Sequence, residues 1–238
     1  GNSPPERFTA LRPGTMTTLD TFTLDPLAGR LARLAEEGVY LGTSSWKYPG
    51  WIGDVYTRDP YIWRGRFSRT RFERLCLSEY AQTFCTVCVD ATYYTFPTEQ
   101  SVRDLAAQVP ERFRFGFKVT GEITIKRFPV LPRFGMRAGR DNASFLDAAL
   151  FEDRFLGPCR ALGPRLGVMM FEFSRFAPEE FASPQAFCDQ LEAFLDRLPK
   201  GFLYGVEIRN ADFLCPAYFQ MLDRRGVAHV YNSWNEMP

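Results

Sequence analysis

Five charged side chains fall inside or just beyond apolar runs, where an unpaired charge is costly. They are Asp90 in TVCVDATYY, Lys118 in FRFGFKVT, Glu172 in RLGVMMFEF, and Glu207 with Arg209 in FLYGVEIRN. Lysine occurs only at Lys47, Lys118, Lys126 and Lys200, so one inside an apolar strand calls for a reason. Three chemistries suit the set. Glu172 and Glu207 are a candidate pair for glycoside hydrolysis, which needs two carboxyl groups at a fixed separation with unequal pKa values. Trp46, Tyr48, Trp51, Tyr93 and Tyr94 would then form a sugar-stacking wall. Cations beside a carboxylate favour its charged form, which suits a nucleophile better than an acid. In the second chemistry Lys118 and Arg209 clamp an anionic substrate, while Glu207 acts as base or orients Arg209. A desolvated Lys118 could also form a Schiff base. In the third, Asp90, Glu172, Glu207 and Asn232 hold a hard cation, but the two neighbouring cations compete for those oxygens, and no metal is expected.

Such residues must be held by a scaffold, and the chain alternates regularly. Strands are expected at 39–44, 86–94, 113–120, 165–173, 202–210 and 227–232. Helices are expected from Asp25 to Gly38, over 69–84, 98–108 and 144–161 with a break near Gly157-Pro158, within 178–198, and over 212–225. Near-continuous apolar strands with helical crossovers indicate a parallel sheet. Polar residues end nearly every strand: Thr43 and Ser44, Asp90 and Thr92, Lys118, Glu172, Glu207 and Arg209, Asn232. A (β/α) barrel gathers such ends around one mouth, whereas a doubly wound sheet focuses ligands at one switch point. No glycine-rich phosphate or dinucleotide loop follows the first strand, and no cofactor is expected. The expected fold is therefore α/β, a TIM-type barrel. Side chains two apart share a strand face. With Val206, Ile208, Met169 and Phe171 turned to the helices, Glu207, Arg209, Glu172, Lys118, Cys88, Asp90 and Thr92 turn into the barrel.

The remaining composition bounds the answer. The 238 residues carry 29 basic and 28 acidic side chains, so no global charge draws the chain to nucleic acid or membrane. No apolar run is long enough to span a bilayer, and GNSPPERF does not read as a secretory signal; a cytoplasmic location is expected. The single histidine, His229, lies mid-strand among apolar residues and reads as a core side chain. The six cysteines read as buried free thiols, Cys85 and Cys88 included, because their spacing falls at a helix-to-strand passage. The stretch 126–140, with Lys126, Arg127, Arg133, Arg137, Arg140 and interleaved Phe128 and Phe134, is the alternative. It can contact nucleic acid or an acidic partner, or simply cap the barrel.

The sequence also resembles the DUF72 family, also called YecE-like, of (β/α)-barrel proteins. The resemblance is carried by LGTSSWKYPGW at 41–51, YAQTFCTVCVDATYYTFPT at 80–98, FRFGFKV with Ile123-Thr124, and AGRDNASFLDAALFEDRFLGP at 138–158. It continues through LGVMMFEF at 166–173, YGVEIRN at 204–210 and the terminal NSWNEMP. The chain departs from the family's usual Glu-Ile-Asn at Val89-Asp90-Ala91 and from Gln-Phe-Pro at Glu172-Phe173-Ser174. The resemblance implies the barrel fold and two strands beyond the six seen, and lends no reaction. The expected organisation is an arm and short helix over 1–38, with a C-terminally incomplete barrel domain over 39–238. The expected function is action on a small anionic or sugar-like substrate, a hydrolase being one form of it. Glu207, Lys118 and Glu172 are the catalytic candidates. Arg209, Asp90, Thr92, Tyr93, Trp46, Tyr48, Ser44 and Asn232 are the ligand-binding ones. A self-satisfied ion network is the competing structural explanation.

Overall fold

A computed structural model of the chain describes residues 24–233. Most of the expected arm and the end of the chain from 234 lie outside the described residues. Among these residues eight strands form: β1 (Gly42–Thr43), β2 (Ile62–Trp63), β3 (Arg66–Phe67), β4 (Thr86–Val89), β5 (Arg114–Lys118), β6 (Leu166–Phe173), β7 (Tyr204–Ile208) and β8 (Ala228–His229). The helices are α1 (Leu24–Glu36), α2 (Arg69–Thr83), α3 (Glu99–Ala106), α4 (Gly121–Thr124), α5 (Ala148–Phe151), α6 (Gly157–Cys159), α7 (Pro184–Asp196) and α8 (Pro216–Arg225). Six strands make one parallel sheet in the order β1-β4-β5-β6-β7-β8. A doubly wound sheet reverses its strand order at a switch point; here the order follows the chain throughout. Among the described residues the sheet is open, with β1 and β8 at its edges.

The two faces differ as side-chain parity requires. Val87, Val89, Phe115, Phe117, Met169, Phe171, Val206 and Ile208 point to the helices and are all deeply buried. Phe171 meets Phe151, Phe194 and Tyr204 at ring-centroid distances of 5.2, 5.1 and 6.0 Å, so α5 and α7 close over this face. The opposite face, with Cys88, Lys118, Val168 and Met170, is only half-buried. In register across it stand Cys88 with Gly116, Lys118 with Met170, and Glu172 with Glu207.

Local chemistry sets the element ends. Thr98 and Ser101 form a reciprocal capping box at α3, and Ser183 caps α7 with Pro184 in its first turn. The expected helix at 144–161 starts later, because Asp147 caps Ala149 and Leu150. Its expected break becomes a π-turn over Glu152–Leu156, with the Gly157 N–H donating to the Glu152 carbonyl. Pro158 has no N–H to give and crowds the carbonyl four residues back, which loosens the register there. The aromatic segment 46–63 contributes β2. It pairs with β3 across Arg64 and Gly65, both at positive φ (50° and 75°).

Several expected strands are cut short, the two edges most. Of 39–44 only β1 enters the ladder, and of 227–232 only β8, each an edge with one neighbour. The strand expected over 86–94 ends at Val89, and Asp90–Tyr93 turn as a 3-10 helix. Strand parity therefore does not govern Thr92.

Candidate functional site

The C-terminal ends of β4 to β7 carry one connected ion cluster. Lys118 Nζ lies 2.8 Å from Glu172 Oε2 and 3.7 Å from Asp90 Oδ1. Arg209 reaches Glu172 Oε1 at 2.7 Å and Glu207 Oε1 at 3.2 Å, the latter from both Nε and its terminal nitrogen. Asn232 Nδ2 donates to the same Glu207 oxygen at 3.0 Å. Because Glu172 and Glu207 are register partners on neighbouring strands, one guanidinium can bridge both. Both oxygens of Glu172 thus face a cation.

Burial layers the cluster. The side chains of Glu172 and Glu207 are 8% and 4% exposed, whereas Lys118, Arg209 and Asp90 are 26%, 21% and 35% exposed. Burial alone would lower the Lys118 pKa. The hydrogen bond and charge of Glu172, then the charge of Asp90, outweigh it and raise the ammonium above its ordinary value. This lysine is held as a cation, not poised as the free amine that a Schiff base needs. The Cys88 thiol donates to Asp90 Oδ1 at 3.3 Å, and burial, reinforced by that carboxylate, pushes it up.

The other expected residues are distributed around the cluster. Tyr93 is half-buried, and its hydroxyl is raised by burial, against a lowering hydrogen bond from Ser174; Glu172, Arg133 and Arg209 also act on it. Thr92 is buried, with its hydroxyl 2.7 Å from both the Val89 and Lys118 carbonyls, so it ties the turn after β4 to β5. Ser44 is exposed, and Tyr48 is exposed against Trp51, centroids 4.6 Å apart. Trp46 is buried in the hydrophobic core and lines a cavity beside α3. His229 lies 3.0 Å from the Tyr218 hydroxyl, and burial lowers its pKa against the raising charge of Glu207. All six cysteines are free.

The arginine-rich stretch folds onto itself and its neighbours. Arg127 pairs with Asp141 and Arg137 with Glu122. Arg137 also lies over Phe128 at 4.4 Å, Arg133 over Phe134 at 4.8 Å, and Lys126 over Phe181 at 3.8 Å. Charge pairing and cation–π stacking thus occupy much of its basic surface. A cavity of about 200 Å³ lies under this stretch, between Tyr93, Tyr94, Phe128 and Phe134. Among the described residues no helix is long and apolar enough to cross a membrane, and no three His, Cys, Asp or Glu side chains group as metal ligands.

Sequence reasoning had no signal for Trp46 and Gln108 as neighbours of one cavity, since α3 brings Gln108 there only in the folded chain. Ser174, marked in the sequence only by the departure at Glu172-Phe173-Ser174, hydrogen-bonds the Tyr93 hydroxyl.

These features define an α/β protein whose parallel strands follow chain order and end in a charged cluster. Residues 40–236 match the family model described as "Protein of unknown function DUF72", and the chain belongs to that family. It is 25% identical over 190 residues to the UPF0759 protein YecE of Escherichia coli K12 and to its counterpart in strain O157:H7. That match takes in 79% of this chain and 55% of each relative, so the chain spans about half the length of the curated relatives it matches. A DUF72 family crystal structure from Thermotoga maritima MSB8 is similar at a TM-score of 0.49 and 20% identity, over 80% of this chain and 63% of that one. One from Enterococcus faecalis V583 is similar at 0.46 and 20%, over 64% and 52%.

Proposed function

We propose that the chain binds a small anionic or sugar-like ligand at the C-terminal ends of β5 to β7, with Lys118 and Arg209 facing it. The observation that carries this is the layering: Lys118 and Arg209, 26% and 21% exposed, lie over the buried carboxylates of Glu172 and Glu207, with the Asp90 carboxylate at the rim beside Lys118. An anion entering beside Asp90 finds both ammonium and guanidinium partly exposed, and the buried carboxylates hold them in place. Tyr93, whose hydroxyl feels the charges of Glu172 and Arg209, provides ring surface beside them. The unbroken strand order supports reading the open sheet as six consecutive strands of a (β/α) barrel, whose ligands bind at this end.

Where the site turns over its ligand, Glu207 is the base or nucleophile, working through Oε2, because Oε1 already accepts from Arg209 and Asn232. Glu172, with a cation on each oxygen, is a positioning residue in this reading. The two-carboxylate glycosidase route is disfavoured, since a general acid must carry a proton and neither carboxylate sits away from a cation.

The test is a thermal-shift screen of the purified chain with inorganic phosphate, glucose 6-phosphate and glucose, repeated with Lys118→Met and Glu207→Gln. Loss of one charge-assisted contact should weaken an anionic hit by about tenfold or more. If both variants bind the hit as tightly as wild type and merely melt earlier, the cluster is structural and the proposal fails.

A further inference from the structure

The cavity of about 200 Å³ lies between the turn after β4, the start of α4 and the arginine-rich stretch, and neither Lys118 nor Arg209 lines it. Backbone hydrogen bonds hold its walls. The Phe128 N–H donates to the Arg140 carbonyl at 2.9 Å and the Gly139 N–H donates to the Phe128 carbonyl at 2.8 Å, closing the stretch into a narrow loop. Buried Asn142 pins the base of that loop to α4, its Nδ2 donating to the Glu122 and Ile125 carbonyls at 2.7 Å each. The cavity is thus formed before any ligand arrives, as small-molecule sites usually are.

Four rings line the space. Tyr93 and Tyr94 meet edge to face at 5.4 Å, and Phe128 and Phe134 lie tilted at 5.3 Å. A flat ring between such walls makes both edge and face contacts. Size limits the occupant. About 150 Å³ is enough for benzene, whereas pockets for larger ligands run to about 300–1,000 Å³, so one ring with a small substituent fits. Charge sets the substituent. The lining holds Arg133 and Arg137 against Glu122, and Arg137 already pairs with that carboxylate at 2.7 Å. Arg133 is the excess cation: it is exposed, and among the described residues no carboxylate pairs with it. Its guanidinium lies 4.8 Å from the Phe134 ring and 5.6 Å from the Tyr94 ring. Stacking occupies the flat face of a guanidinium and leaves its in-plane N–H fork, which matches a carboxylate.

We infer that this cavity binds a single-ring aromatic carboxylate. The ring lies among Tyr93, Tyr94, Phe128 and Phe134, and the carboxylate accepts from the Arg133 N–H groups. Tyr93 borders both this cavity and the strand-end cluster, but the inference does not rest on a ligand at Lys118 and Arg209.

Benzoate is the probe. Benzamide is the same ring without the charge, and cyclohexanecarboxylate the same charge without the flat ring. In titration calorimetry of the purified chain, benzoate should bind more tightly than either. Arg133→Gln removes the cation at an exposed position and should weaken benzoate by about tenfold, the worth of a charge-assisted contact. Tyr94→Ala, at a side chain 67% exposed, should weaken it by about fivefold with the far-ultraviolet circular dichroism unchanged. The Arg133 Nε peak in ¹⁵N spectra, assigned by its loss in Arg133→Gln, should shift with benzoate. Lys118→Met should bind benzoate as wild type does. Benzamide or cyclohexanecarboxylate binding as tightly as benzoate overturns the inference, as does an Arg133→Gln affinity equal to wild type. So does a Lys118→Met loss as large as that of Arg133→Gln, which would place the carboxylate on the strand-end cluster, or no measurable benzoate binding.

Discussion

Replacing Lys118 by methionine removes the ammonium while keeping an unbranched side chain of similar reach. Glu172 then loses Nζ at 2.8 Å and keeps Arg209 at 2.7 Å. At an effective dielectric near 20, opposite charges at that first distance attract by about 6 kcal/mol before desolvation is charged against them. Removing one partner of a fully buried pair costs about 3–5 kcal/mol. Lys118 is a quarter exposed and Arg209 stays behind, so we expect Lys118→Met to cost about 1.5–3 kcal/mol at pH 8. A double-mutant cycle with Glu172→Gln should return a coupling of about 1–2 kcal/mol. The pH dependence gives the reasoning its sharpest check. The folded state raises the Lys118 pKa above its ordinary 10.5, so folding tightens proton binding there. Its contribution is complete below 10.5 and is lost as pH rises through the folded value. Urea unfolding of the four cycle proteins, followed by circular dichroism from about pH 8 to pH 12, measures this. A coupling under about 0.5 kcal/mol at pH 8 would refute the argument, as would one that persists undiminished at the alkaline end.

Two further outcomes follow from other parts of the molecule. His229, the only histidine, gives a single imidazole signal in NMR; because burial lowers its pKa, it should titrate below 6.5. Its effect on stability is complete above 6.5 and declines as pH falls from there toward the lowered folded value; a midpoint at or above 6.5 would contradict this. At Gly42 an added Cβ would lie 2.0 Å from the Thr86 carbonyl oxygen, a backbone atom of the paired strand. Gly42→Ala should therefore cost about 1–3 kcal/mol in urea unfolding, whereas Gly50→Ala, with nothing within 4 Å, should change stability by less than about 0.5 kcal/mol. Equal effects at the two positions would show that β1 is not held as described.

The parallel α/β class was legible because apolar runs and helical spacings are local properties of the chain. The same locality made side-chain parity reliable within β5, β6 and β7, where Lys118, Glu172 and Glu207 all stand on the face away from the helices. Parity failed just past Val89, where Asp90–Tyr93 coil into a 3-10 turn that no alternation pattern announces. Trp46 was expected beside the strand-end cluster for its nearness to the first strand. The core instead draws the indole to the helix side, where burial of its ring outweighs the unpaired N–H.

Residue types and their periods, read alone, determined which side chains are apolar enough to face helices and which charges are left over for the other face. They determined a helix start where the cap is adjacent, as at Thr98. Only the tertiary structure decided which cation meets which carboxylate, because the Glu172–Glu207 register joins strands separated by a whole helix. It alone decided the length of β1 and β8, since a ladder needs a neighbour. It alone made the cavity beside α3, whose walls come from segments far apart in the chain.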